Sequence, residues 1–207
     1  AVDAAVRVAR EHELEEKDRL AVMFGTLCHD FGKPATTIQR EGKWVSSGHA
    51  QAGVSIAKCF LERIDTSLRL NEQVLPLVEE HMCHVSWKGE MPSDRVILRL
   101  ARDLSPASLR NLAFVCEADA SRRPPLGHHS PLCDALKRAA ELEVAAKKPK
   151  PILTGKHLVK PEFGFCLKPG PRVGEILRVA EDAQLDREFF DEAGALAWVR
   201  EFLEASR

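Results

Sequence analysis

Five side chains could hold a divalent cation, and they fall on four separate apolar segments. His29 and Asp30 stand in "LCHDFGK", directly after the run "LAVMFGTLC". His49 lies in "SSGHAQAG", His81 in "EEHMCH" and Asp119 in "CEADASR". Neutral imidazole nitrogen combined with carboxylate oxygen suits Mn, Fe, Co, Ni or Zn ahead of Ca. Adjacent residues on a helix point about 100° apart, so His29 and Asp30 can lean on one ion only at a helix end, which Gly32 would supply. Each residue also has an ordinary reading. A capped helix end explains the His-Asp pair; a helix start explains His49. A dipole-favoured cation explains His84, which lies three residues from His81 on the same helical face. Asp119 can be a solvated acid. Their joint occurrence on four apolar helices favours convergence, because bundles build metal sites from inward-facing side chains. Lys33, one turn beyond the dyad, suits a point charge on a phosphate oxygen or an exposed loop lysine.

The elements that would position these residues read as helices. Val2, Val6 and Ala9 share one helical face, and Leu20, Met23, Phe24 and Leu27 another. A helix is expected over 48 to 64. Another follows with Asn71 as N-cap and Pro76 near its first turn, and a third opens on Ser93 and Asp94. Ser105 with Pro106, and Ser130 with Pro131, look like two further helix starts, the second leading a helix over 131 to 146. Little alternates with period two, so strands are not expected. From 147 the texture changes to a Pro- and Gly-rich, mostly extended connector, and helices over about 171–185 and 191–205 close the chain. The expected fold is all-α: a bundle over 1–146 and a connector with a smaller C-terminal helical arm over 147–207.

The chain's 207 residues can bury a core unaided. A net charge of −1 exerts no global pull on nucleic acid, so such affinity would need a local patch. No apolar run approaches the ~18 residues of a membrane span, and the N-terminus is no signal peptide. The six cysteines form no C-x-x-C pair; they read as buried thiols of a reducing cytoplasm. The chain begins with Ala, and it reads as a piece of something longer.

"LCHDFGK", "GHAQAG", "EEHMCH" and "EADASRRPPL", in that order, resemble the HD superfamily of metal-dependent phosphohydrolases. Within it, the sequence is similar to the C-terminal HD half of bacterial CCA-adding tRNA nucleotidyltransferases, of the polynucleotide adenylyltransferase family. The tail "ILTGKHLVKPEFGFCLKPGPRVGEILRVAEDAQLD" looks like the segment that follows that domain. The resemblance implies an HD helical bundle with His29, Asp30 and Asp119 as metal ligands. It implies that His49 and His81 complete a second metal position or meet the substrate phosphate. Asp30 and Lys33 would take part in hydrolysis of a nucleotide-type phosphoester, with Mn, Ni, Co, Mg, Fe or Zn as the ion. The family expects one more histidine, at a position just upstream of Ala1; His12 lies on the right helix but too late. The Gly-Ser motif and paired aspartates of the nucleotidyltransferase half are absent from this sequence, so nucleotide addition is not expected of it.

A binding role stands beside the hydrolytic one. Residues 147 to 172 hold seven Lys or Arg against the single acid Glu162. Lys147, Lys148, Lys150 and Lys156 could track the backbone of tRNA, with Phe163 and Phe165 available to stack or to pack. His128 and His129 in "LGHHSP" read as turn residues before a helix.

Overall fold

A computed structural model of the chain describes residues 1–121 and 131–205. His128 and His129 lie outside the described residues. The chain divides into two compact units, Ala1–Lys148 and Pro149–Arg207.

The first unit is built almost wholly of helices, as the periodicity predicts. Its helices are α1 (Val2–Glu11), α2 (Glu16–Cys28), α3 (Lys33–Thr36), α4 (His49–Arg63), α5 (Leu68–Glu80), α6 (Asp94–Asp103), α7 (Leu109–Ala120) and α8 (Pro131–Glu141). Helix α7 is apolar almost all round, burying Leu109, Leu112 to Cys116 and Ala118. Such a helix must lie at the centre, and α1, α2, α5 and α8 pack around it. Ser108 caps it by accepting from the Asn111 N–H at 3.1 Å. The buried Asn111 amide donates in turn to Asp18 on α2 at 3.1 Å. A second core, Cys28, Ala57, Leu61, Val74 and Val78, fixes α4 and α5 against the end of α2. Each fully buried leucine or valine there contributes about 1.5–3 kcal/mol relative to exposure.

Several helix starts differ from the sequence-based expectation. Helix α5 begins three residues earlier than Asn71, capped by the Ser67 hydroxyl. Asn71 is buried and accepts from Thr66, while Pro76 lies inside the helix. Helix α7 is capped by Ser108 instead of Ser105, and the Ser105–Pro106 peptide is cis and precedes the helix. Helix α8 stops at Glu141, five residues short of the expected end.

Two short strands also appear where none was expected: β1 (Ile38–Arg40) and β2 (Lys43–Val45), paired antiparallel with Gln39 opposite Trp44. Their two-residue loop places both Glu41 and Gly42 at positive φ, 51° and 75°. That backbone matches the twist of paired strands. Strands of three residues are too short to show an alternating pattern, so the Glu-Gly dipeptide was the only signal.

The second unit contains α9 (Gly155–Val159), α10 (Pro171–Leu185) and α11 (Glu192–Ala205). Its core joins Leu153, Leu158, Val173, Ile176, Phe189 and Val199. The connector is less extended than its composition suggests. Gln184 of α10 pins it, accepting from the Ile152 N–H and donating to the Lys150 carbonyl, each at 2.8 Å. Phe165 packs half-buried against this core. Among the described residues, no helix is long and apolar enough to cross a membrane.

Candidate metal centre

Helix ends deliver the site. His29 directly follows the last residue of α2, His81 directly follows the last residue of α5, and His49 is the first residue of α4. Asp119 lies in the last turn of α7. The close approach of α4 depends on Gly32. A Cβ at Gly32 would stand 2.0 Å from the His49 carbonyl oxygen and 2.7 Å from the Gly53 nitrogen. Gly32 was expected to end the helix carrying the dyad; that helix already ends at Cys28, and Gly32 has an ordinary φ of −78°. Its small size is what the site uses.

All three histidines are buried, and all are oriented in the same way. The Nδ1 atom of each lies against the carbonyl oxygen three residues earlier: His29 on Thr26 at 2.6 Å, His49 on Ser46 at 2.7 Å and His81 on Val78 at 2.7 Å. A carbonyl only accepts, so each Nδ1 carries the proton. Nε2 of each ring is thereby left for the interior, the arrangement of a ligating histidine fixed by a backbone acceptor.

Asp30 is the carboxylate common to these rings. Its Oδ2 lies 3.3 Å from His29 Nε2 and 2.7 Å from Lys33 Nζ, and its Oδ1 lies 3.5 Å from His49 Nε2. His29 Nε2 also meets Asp119 Oδ1 at 3.2 Å. His49 Nε2 and His81 Nε2 are 3.1 Å apart. Ligand atoms of Asp30, His49 and His81 all fall within 4.8 Å of one another, a group able to hold a metal ion.

The donor set fits a divalent ion. Ligand atoms about 2.1 Å from one ion stand about 3.0–3.4 Å from each other, close to the separations found here. The His49–His81 contact adds a second test, since two imidazole lone pairs face each other with both Nδ1 protons already committed. A cation, or a proton on one ring, relieves that repulsion. The residues expected from the sequence, His29, Asp30, Lys33, His49, His81 and Asp119, therefore come together. His12 does not: it stacks on Phe114 and approaches Glu117 at 4.0 Å.

The electrostatics separate the rings. Burial disfavours a charged His29, but hydrogen bonds to Asp119 and Asp30 outweigh it and hold the imidazole up at about 9. Burial opposes charge on Asp30 too, yet His29 and Lys33 keep its carboxyl well below the usual carboxylate range. Burial pushes His81 down to about 4, so this ring stays neutral and available as a ligand. Burial also lowers His84, which argues against the dipole-favoured cation. Cys28 and Cys83 are pushed up to about 12 by burial. The expectation of buried thiols fails at Cys59 and Cys166, which are exposed. Cys59 falls on the solvent side of α4, and Cys166 lies in the irregular segment before α10.

Asp30, Lys33, His49, His81 and Asp119 floor an open depression of about 480 Å³, lined also by Trp44, Ser46, Gln51 and Met82. Trp44 escapes a sequence reading because its hairpin does. Lys147, Lys148, Lys150 and Lys156 are all exposed; the first two end the first unit and the others belong to the second. Phe163 rests on His157, with ring centroids 4.8 Å apart, and so has a packing partner.

Comparison with known proteins identifies a family and several relatives. The HD domain family matches residues 2–121. The A-adding tRNA nucleotidyltransferase of Deinococcus radiodurans is 28% identical over 190 residues, covering 89% of this chain and 42% of that protein. The CC-adding tRNA nucleotidyltransferase of Thermus thermophilus is 29% identical over 174 residues, covering 81% of this chain and 36% of its own length. The multifunctional CCA protein of Laribacter hongkongensis is 34% identical over 116 residues, 53% of this chain and 26% of that protein. The chain thus spans less than half the length of each of these relatives. No solved structure matches.

Proposed function

The chain belongs to the HD domain family, a superfamily of metal-dependent phosphohydrolases, and on that premise we propose that it hydrolyses nucleotide-type phosphoesters such as 2′,3′-cyclic phosphates and 2′-nucleotides. His29, Asp30, Asp119, His49 and His81 would hold the ion, which could be Mn, Ni, Co, Mg, Fe or Zn. When bound, a divalent ion acidifies water and offsets charge developing on phosphoryl oxygens. The observation that carries this reading is the shared orientation of the three rings, each with Nδ1 on a carbonyl and Nε2 turned towards Asp30 or its neighbours.

The chain's own residues divide the remaining work. His29, sandwiched between Thr26 and the two carboxylates, fixes where Asp119 and Asp30 stand. Asp30 stays ionised and orients the attacking water. Lys33, 2.7 Å from Asp30 and lining the open depression, supplies a cation for a phosphate oxygen. The test is hydrolysis of a 2′,3′-cyclic nucleotide with Mn, Co or Ni added. Asp119→Ala should lose the activity while melting as a folded protein. If no divalent ion supports turnover above a chelated control, this reading fails.

A second reading has its own support. The relatives are named for tRNA nucleotide addition, and the exposed Lys147, Lys148, Lys150 and Lys156 suit a phosphate backbone. On it, the chain is a tRNA-binding C-terminal module whose metal site is partly vestigial.

A further inference from the structure

Of the three tryptophans in the chain, Trp87 and Trp198 are half-buried and only Trp44 is exposed, at 73%. An indole left in water forgoes the burial that usually makes tryptophan favourable. Trp44 is not placed at random. It lines the same depression as Asp30, Lys33, His49 and His81. Met82, next to His81 and 38% exposed, lines it too and offers a polarisable thioether to an aromatic ligand.

The hairpin holding Trp44 is anchored to the metal site at both feet. At one foot, the Thr37 hydroxyl contacts the Lys33 carbonyl at 2.7 Å. At the other, Ser46 meets Thr37 through its hydroxyl at 2.7 Å, while its carbonyl accepts from His49 Nδ1 at 2.7 Å. Trp44 is therefore positioned by the same residues that position Lys33 and His49.

We propose that Trp44 is the stacking platform for a substrate base, so that the depression recognises a nucleotide by its phosphate at one end and its base at the other. The proposal rests on the phosphoester reading and adds what that reading lacks, a reason to prefer nucleotides over other phosphoesters. A flat π-face takes any base, so this subsite selects for a base and tolerates its identity. The base belongs either to a free nucleotide or to the terminal residue of an RNA; both present the same chemistry.

The experiment uses Trp44→Ala and Trp44→Phe in the full chain; because the side chain is exposed, both variants should fold. Binding is read by indole fluorescence and equilibrium dialysis with adenosine 2′-monophosphate, and with ribose 5-phosphate as the ligand lacking a base. The nucleotide should quench the wild type and ribose 5-phosphate should not. Trp44→Ala should weaken nucleotide binding about tenfold or more, Trp44→Phe should retain most of it, and ribose 5-phosphate should bind all three alike. Equal nucleotide affinity in wild type and Trp44→Ala overturns the proposal. Hydrolysis of glycerol 1,2-cyclic phosphate separates it from the wider reading. Full activity of Trp44→Ala on that substrate, with a raised KM for 2′,3′-cyclic AMP or for a short RNA ending in a cyclic phosphate, supports the subsite and identifies which source it serves. Unchanged KM for both overturns it while hydrolysis stands. Absence of hydrolysis in every variant removes the catalytic reading and leaves the binding measurements to decide the role of Trp44.

Discussion

His49 Nε2 stands 3.1 Å from His81 Nε2, although both rings have already committed Nδ1 to backbone carbonyls. Two acceptors held that close demand positive charge between or beside them. Burial keeps His81 neutral, and Asp30 places its carboxylate 3.5 Å from His49. The arrangement resembles a coordination shell more than a hydrogen-bonded core, where each Nε2 acceptor would face a donor of its own.

Gly32→Ala should damage the site without touching a ligand. The added Cβ meets the His49 carbonyl at 2.0 Å, so α4 must shift. Overpacking of this kind costs about 1–3 kcal/mol, or on the order of 5 °C in Tm for a chain this size. Thermal melting and metal titration on one sample check it; unchanged Tm with full metal affinity would show that α4 has slack.

The metal-free chain should be most stable near neutral pH. His29 is raised from 6.5 to about 9, so its contribution is present below 6.5 and lost as pH climbs through 9. His81 is lowered from 6.5 to about 4, so stability also falls as pH drops from 6.5 through 4, and Asp30, held below its ordinary 3.8, adds a further loss below that value. A tenfold change in a group's proton affinity on folding is worth about 1.4 kcal/mol, so Tm should decline by several degrees on the alkaline side. Metal requires neutral His29, so binding near pH 7.5 should release a proton. Calorimetry in buffers of different ionisation enthalpy measures that release. None, with a flat alkaline Tm, would contradict a charged His29.

If Lys147, Lys148 and Lys150 track phosphates, tRNA affinity should fall steeply with salt, because each neutralised phosphate releases counterions. Replacing all three with Ala should flatten that slope and leave hydrolysis of a cyclic mononucleotide nearly unchanged. Titrations of labelled tRNA at several salt concentrations decide it. An unaltered slope makes these lysines an ordinary solvated connector.

The helices and most of the site were legible because their signals are local. Apolar spacing marked α1 and α2, and His or Asp beside an apolar run marked the points where helices end. What the sequence concealed depends on contacts between distant segments. Gly32 reads as a helix breaker until α4 is seen lying against it. Ser67 and Asn71 are both acceptable caps, and only burial of Asn71 separates them. Trp44 belongs to strands too short for periodicity to reveal. The common Nδ1 anchoring of the histidines is invisible in sequence, since it depends on backbone turns that place each carbonyl three residues before its ring.

Metal content tests the centre most directly. Purified chain, incubated with Mn, Co or Ni and then desalted, should retain about one equivalent or more by elemental analysis. Asp30→Ala should retain essentially none, because it removes the carboxylate shared by His29 and His49. Lys33→Ala should keep its metal, since it removes only a competing cation from Asp30. Equal metal in wild type and Asp30→Ala, or none in the wild type, would contradict the site.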